Sequence, residues 1–159
     1  MLLRVHVHTD DPERALAVAR DAGAVPASTV DVADMHEQIR EQLEKTHTLV
    51  TAVVAVAPGQ GNRRTFERTF GDVRVVQGGQ TKNPSAQEIA DAVNATHARE
   101  VVILPNNGNV IGAATMAIGL ATKPARVVPT RSVQAGLHLV STAYHYDADA
   151  EANVVEMLD

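Results

Sequence analysis

The sequence predicts an α/β fold: a parallel sheet flanked by helices, with a small β-α-β unit at the N-terminus. Three observations carry this. Short apolar runs rich in β-branched residues, such as VVIL at 101–104, suit strands covered on both faces. Each run is stopped by Pro or Gly and followed by a polar turn and then a helical pattern. This strand-turn-helix unit recurs four times in succession, a spacing that implies parallel pairing through right-handed crossovers.

Residues 2–9, LLRVHVHT, read as a strand. Because the chain opens directly on an element, a segment of a longer protein is expected. Asp11 is a good N-cap and Pro12 suits the first helical position. Ala15, Leu16, Ala19 and Ala22 then form a helical stripe that Gly23 stops. Residues 28–32 alternate as a second strand, which completes a β-α-β unit over 1–33. Residues 34–47 read as a polar connecting helix with Met35, Ile39 and Leu43 on one side.

The main domain is expected over 48–159. A buried strand at 49–57 ends at Pro58-Gly59-Gln60-Gly61, and a short helix at 62–70 carries Phe66 and Phe70 four apart. A strand at 72–77 ends at Gly78-Gly79-Gln80-Thr81. Ser85 and Glu88 have capping-box spacing and open a helix to about residue 96, with Ile89 and Val93 inward. The strand at 101–104 is stopped by Pro105, and a turn of side-chain amides leads into an apolar small-residue helix at 109–121. A strand at 125–129, a helix at 133–143 and a last helix from 149 complete the chain.

Composition narrows the function classes. The chain has 159 residues, enough for one domain with a small appendage, and 45 % of them are apolar. Aromatics are only 3 %, so the core must be built from Val, Ala, Leu and Ile. A net charge of −5 leaves no basic footprint for nucleic acid. There is no cysteine, hence no disulfide and no thiol nucleophile or thiolate ligand. No apolar run approaches the ~18 residues of a membrane span, and no signal peptide is visible.

In open parallel sheets ligands sit outside the carboxyl ends of the strands. The four loops at those ends are 58–61, 78–85, 105–109 and 129–132. They offer Gln60, Gln80, Thr81, Asn83, Asn106, Asn107, Asn109, Thr130 and Arg131 as a ligand-binding crevice, with Lys82 as a second cation. Asp, Glu and His are absent from all four loops, so the set suits a polar or anionic group and supplies no general acid or base.

The same residues have plainer roles. Gly59 and Gly61 make a tight turn as readily as a phosphate cradle. The asparagines can satisfy loop backbone and cap the next helix. Ser85 reads as a helix cap, since no His or Asp is spaced to activate it. Arg131 can hold an anion or face solvent. His6 and His8 are two apart on the first strand and therefore leave one face, which is bidentate metal spacing.

VHVHTDDPERAL, GGQTKNPSAQEI, VVILPNNGNVIGAA and VVPTRSVQAGL followed by ANVVEM together resemble the middle portion of the DAK/DegV-type proteins. These include the A component of bacterial fatty acid kinase and the dihydroxyacetone-kinase-like or DAK phosphatase proteins. LPNN-x-N, GGQT-x-NPS and HVHT are the most specific motifs. The resemblance implies a DegV/DAK-like α/β fold. It also implies an ATP- and magnesium-binding kinase domain elsewhere in the protein, and a C-terminal DegV-like domain. The family phosphorylates a fatty acid held by a separate fatty-acid-binding protein, giving acyl phosphate for phospholipid synthesis. His6 and His8 fall on the family's H-x-H, part of a zinc-type site completed by an upstream Cys that this chain lacks. The family's N-M-x-x-Q-H element reads Asp34-Met35-His36-Glu37-Gln38-Ile39 here, so its terminal His does not transfer.

The expected function is therefore a non-catalytic domain of a cytoplasmic, homodimeric fatty-acid-kinase-like protein, linking the ATP domain to the acyl-carrying partner. Two alternatives stand beside it. One is a small-molecule module that binds a carboxylate, a phosphate or a fatty acid head group. The other is a metal-dependent phosphatase-like enzyme using His6 and His8.

Overall fold

The computed structural model describes residues 7, 9, 11–21, 49–69, 71–79 and 82–159. It divides the chain into two compact units, Met1–Met35 and His36–Asp159. In the first, helix α1 spans Pro12–Asp21. Asp11 caps it as its sequence position requires, its Oδ1 accepting from the Arg14 N–H at 3.0 Å. Ala15, Leu16 and Ala19 are its half-buried positions, the stripe read from the sequence. Apart from Val7 and Thr9, the strands expected at 2–9 and 28–32 lie outside the described residues, as does the helix expected at 34–47.

The second unit alternates strand and helix throughout its described residues. Its strands are β1 (Thr51–Ala57), β2 (Val73–Gln77), β3 (Glu100–Leu104) and β4 (Ala125–Val127). Its helices are α2 (Gly59–Glu67), α3 (Ala86–Asn94), α4 (Ile111–Leu120), α5 (Val133–Thr142) and α6 (Ala150–Leu158). The four strands form one parallel sheet in the order β2-β1-β3-β4. Val53 of β1 sits beside Val73 of β2 and Val102 of β3, and Val102 sits beside Arg126 of β4.

The two-residue period of the strands splits the core into two layers. Val54, Val56, Val101 and Ile103 face one way and pack with Ile89, Ala90 and Val93 of α3 and Ala114 and Ala117 of α4. Val53, Ala55, Val102 and Leu104 face the other way and pack with Phe66 of α2, Val140 of α5 and Met157 of α6. The assignment of helices to faces follows from handedness. The step from β1 to β2 runs opposite in direction to the steps toward β3 and β4, so a consistent crossover hand puts α2 on the opposite face from α3 and α4.

Two elements differ from the sequence expectation. Helix α2 begins at Gly59 rather than Asn62, and the Asn62 Nδ2 donates back to the Pro58 carbonyl at 2.8 Å. Strand β4 stops at Val127, because the Thr130 N–H turns back to the Val128 carbonyl at 2.7 Å. This edge strand is three residues long and lies between Pro124 and Pro129. Short edges with proline are a recognised guard against strand addition.

At the opposite edge of the sheet a buried polar cluster fixes the strand entrances. The Tyr144 hydroxyl donates to the Thr51 carbonyl at 2.7 Å, and the Thr51 hydroxyl donates to the Ala148 carbonyl at 2.7 Å. Burial, and then the nearby Asp72 carboxylate, push the Tyr144 phenol well above its ordinary value. Gly71, at φ +100°, leaves room for this ring, since a Cβ there would lie 2.6 Å from the hydroxyl oxygen. Lys123 reaches across to the carbonyls of Thr96 and Ala98 beyond the end of α3, where a cation opposes the negative end of the helix dipole.

Candidate functional site

Because all four strands are parallel, their carboxyl ends and exit loops gather at one edge. The loops are stitched to each other there. The Gly78 N–H donates to the Ala57 carbonyl at 3.2 Å, joining the β2 exit to β1. A Cβ on Gly78 would lie 2.7 Å from both Pro84 Cδ and Val56 Cγ1, so only glycine allows this approach. β1 leads to β2 on one side and β3 leads to β4 on the other, so the topological switch point falls between β1 and β3.

That switch point is filled by the side chain of Asn106. Asn106 is 5 % exposed and sits at φ 56°, a left-handed conformation that asparagine tolerates better than most residues. Its Nδ2 donates to the Val56 carbonyl at 3.0 Å, bridging β3 to β1. Its backbone N–H donates to Thr130 Oγ1 at 3.0 Å, and the Thr130 hydroxyl donates in return to Asn106 Oδ1 at 2.8 Å. The amide presses on helix α5: a Cβ on Gly136 would stand 2.1 Å from Asn106 Oδ1. Three of the four strand exits are thus clasped by one side chain.

This corrects part of the crevice expected from sequence. Asn106 and Thr130 are buried and their polar atoms are spent on each other and on β1, so they hold the rim together and do not face a ligand. Asn107 is nearly buried, and its Oδ1 accepts from the Asn109 N–H at 3.0 Å, capping the single 3-10 turn at Gly108–Val110. The exposed members are Gln60, Lys82, Asn83, Asn109 and Arg131. The Arg131 guanidinium lies over the 105–109 loop, its Nη1 3.6 Å from where a Gly108 Cβ would be. Gln80 and Thr81 lie outside the described residues, as do His6 and His8.

Ser85 is the helix cap that its spacing predicts. Its Oγ accepts from the Glu88 N–H at 3.1 Å, and Glu88 Oε2 accepts from the Ser85 N–H at 2.8 Å. That backbone bond, then the one from the Ser85 hydroxyl, holds the Glu88 carboxyl below its ordinary value. The cap's ionic contribution is therefore in place above the ordinary glutamate pKa and fades as pH falls through the lowered one.

The sequence reading did not single out Gly136. A glycine inside a helical pattern with no cap to make is the available signal, since such a residue usually marks close approach. No helix among the described residues is long and apolar enough to cross a membrane.

Comparison with known proteins agrees with these motifs. The family model for the C-terminal region of proteins like the A component of fatty acid kinase (FakA-like) matches residues 52–159. The matched model is the C-terminal one, which refines the middle placement expected from the motifs. Uncharacterized proteins of Staphylococcus aureus strains USA300, N315 and Mu50 are 31 % identical over 168 aligned residues, covering 99 % of this chain. The chain spans 30 % of the length of these curated relatives. The chain belongs to the FakA-like family of fatty acid kinase proteins and carries its C-terminal domain from residue 52 onward.

Proposed function

We propose that this domain is a non-catalytic docking piece of a fatty-acid-kinase-like protein, linking an ATP-binding domain to the partner that carries the acyl chain as acyl phosphate is made. The observation that carries this reading is the Asn106 amide in the switch-point crevice. With that crevice occupied by the fold itself, the rim offers a stitched surface of exposed amides and two cations, Lys82 and Arg131. Such a surface suits recognition of another protein's polar face, where charges set orientation and encounter rate.

In a full-length protein containing this domain, the double variant Lys82→Ala/Arg131→Ala is expected to lower acyl phosphate formation with the acyl-carrying partner by about tenfold, the scale of one or two lost interfacial charges. ATP affinity should stay unchanged. Loss of ATP binding in parallel, or unaltered turnover, would sink the docking role.

Zinc held by His6 and His8 is a separate proposal that rests on their two-residue spacing. Elemental analysis of the purified protein should find zinc that the His6→Ala/His8→Ala variant loses, and an equal metal content in both would remove the idea.

A further inference from the structure

Charge is segregated across one helix layer. Over 59–69, α2 and the two residues after it carry Arg63, Arg64 and Arg68 against the single carboxylate of Glu67. Helix α5 has no Asp, Glu, Lys or Arg at all. From His145 to Asp159 there are five carboxylates and no Lys or Arg. These helices lie side by side, since Phe66, Val140 and Met157 share one core. Helix α2 rests on β2 and β1, α5 on β1, and α6 on β3 and β4. The layer therefore runs basic, neutral, acidic.

The acidic flank also has the shape to receive an arginine. Asp149, Glu151, Ala152, Val155, Glu156 and Asp159 line an open depression on α6. Val155 is 58 % exposed and Leu158 is 61 % exposed, so apolar surface lies among the carboxylates. An arginine stem packs on such surface while its guanidinium meets the acids. Exposed pairs within the chain, Arg63 with Glu67 at 2.7 Å and Arg126 with Glu151 at 3.0 Å, are of the weak kind and leave the overall polarity of the layer in place.

We propose that this layer is where a second copy of the chain docks, about a two-fold axis parallel to α5. That rotation sets α2 of one copy against α6 of the other, twice, and neutral α5 against neutral α5. An axis running across the helices would oppose α2 to α2 and α6 to α6, like against like. A uniformly basic or acidic partner would satisfy one flank and be repelled by the other. The second copy satisfies both, and an isologous contact of this kind closes at two.

The test is sedimentation of the 159-residue chain over a range of protein concentration and between about 0.05 and 0.5 M NaCl, where the screening length shortens severalfold. A dimer that dissociates as salt rises is expected. Arg64→Glu and Glu156→Arg lie at exposed positions and should fold normally by circular dichroism. Each alone should weaken the dimer about tenfold or more, and an equimolar mixture of the two should restore it, because each copy then supplies the charge the other has reversed. A monomer at low salt overturns the proposal. So does a dimer that neither reversal weakens, or a mixture that does not recover.

Discussion

Asn106→Ala is expected to lower the stability of the main domain by about 4 kcal/mol, read as a fall of about 10 °C in melting temperature for a chain of this size. Three costs combine. The Val56 carbonyl loses its Nδ2 donor at the centre of the sheet, and the Thr130 hydroxyl loses its Oδ1 acceptor. Each buried polar atom left unpaired costs about 1–3 kcal/mol. Alanine must also hold φ 56°, which costs about 1–2 kcal/mol more. Asn106→Gly separates these effects, since it removes the same amide and relieves the backbone. It should be about 1 kcal/mol less damaging than alanine. Urea unfolding of the three proteins measures the order. A change for alanine below about 1 kcal/mol, the size of an ordinary surface substitution, would show that the clasp contributes little.

Gly136→Ala carries the second large effect, and its sign is the informative part. In an exposed helix interior, glycine to alanine stabilises by about 0.5–1 kcal/mol. At Gly136 the new Cβ would fall 2.1 Å from Asn106 Oδ1 and 2.8 Å from its Cγ and Nδ2. The amide can yield only by giving up bonds to Val56 and Thr130. We expect a loss of about 2–3 kcal/mol, the usual scale for an overpacked core. In an Asn106→Ala background the obstruction is gone, and the same substitution should be neutral or stabilising. That non-additivity is the signature of two side chains in direct contact. Equal effects in both backgrounds would place the strain elsewhere.

These two residues also mark where the sequence stops being readable. The strand runs, the capping box at Ser85 and the gathering of four exits at one edge follow from local pattern, because periodicity and turn chemistry are local properties. The start of helix α2 at Gly59 is less legible, since Pro-Gly-Gln-Gly reads as a turn whether or not a helix begins inside it. The direction of the Asn106 amide is not legible at all. Whether an asparagine in PNNGN points outward or into the switch point depends on a hydroxyl at 130 and on the space that Gly136 leaves open, thirty residues further along. The expected ligand crevice therefore divides into two classes that look identical on paper. Asn106 and Thr130 serve the framework, while Gln60, Lys82, Asn83, Asn109 and Arg131 remain on the surface.

The proline-bracketed margin at β4 bears on how this fold can be enlarged. A neighbouring segment laid along that side would find three residues of backbone to pair with, and neither Pro124 nor Pro129 brings an amide hydrogen to the join. Lateral growth of the pleated layer is therefore confined to the β2 margin. Anything fused or assembled next to β4 must be secured through side chains and not through a continuing hydrogen-bond ladder.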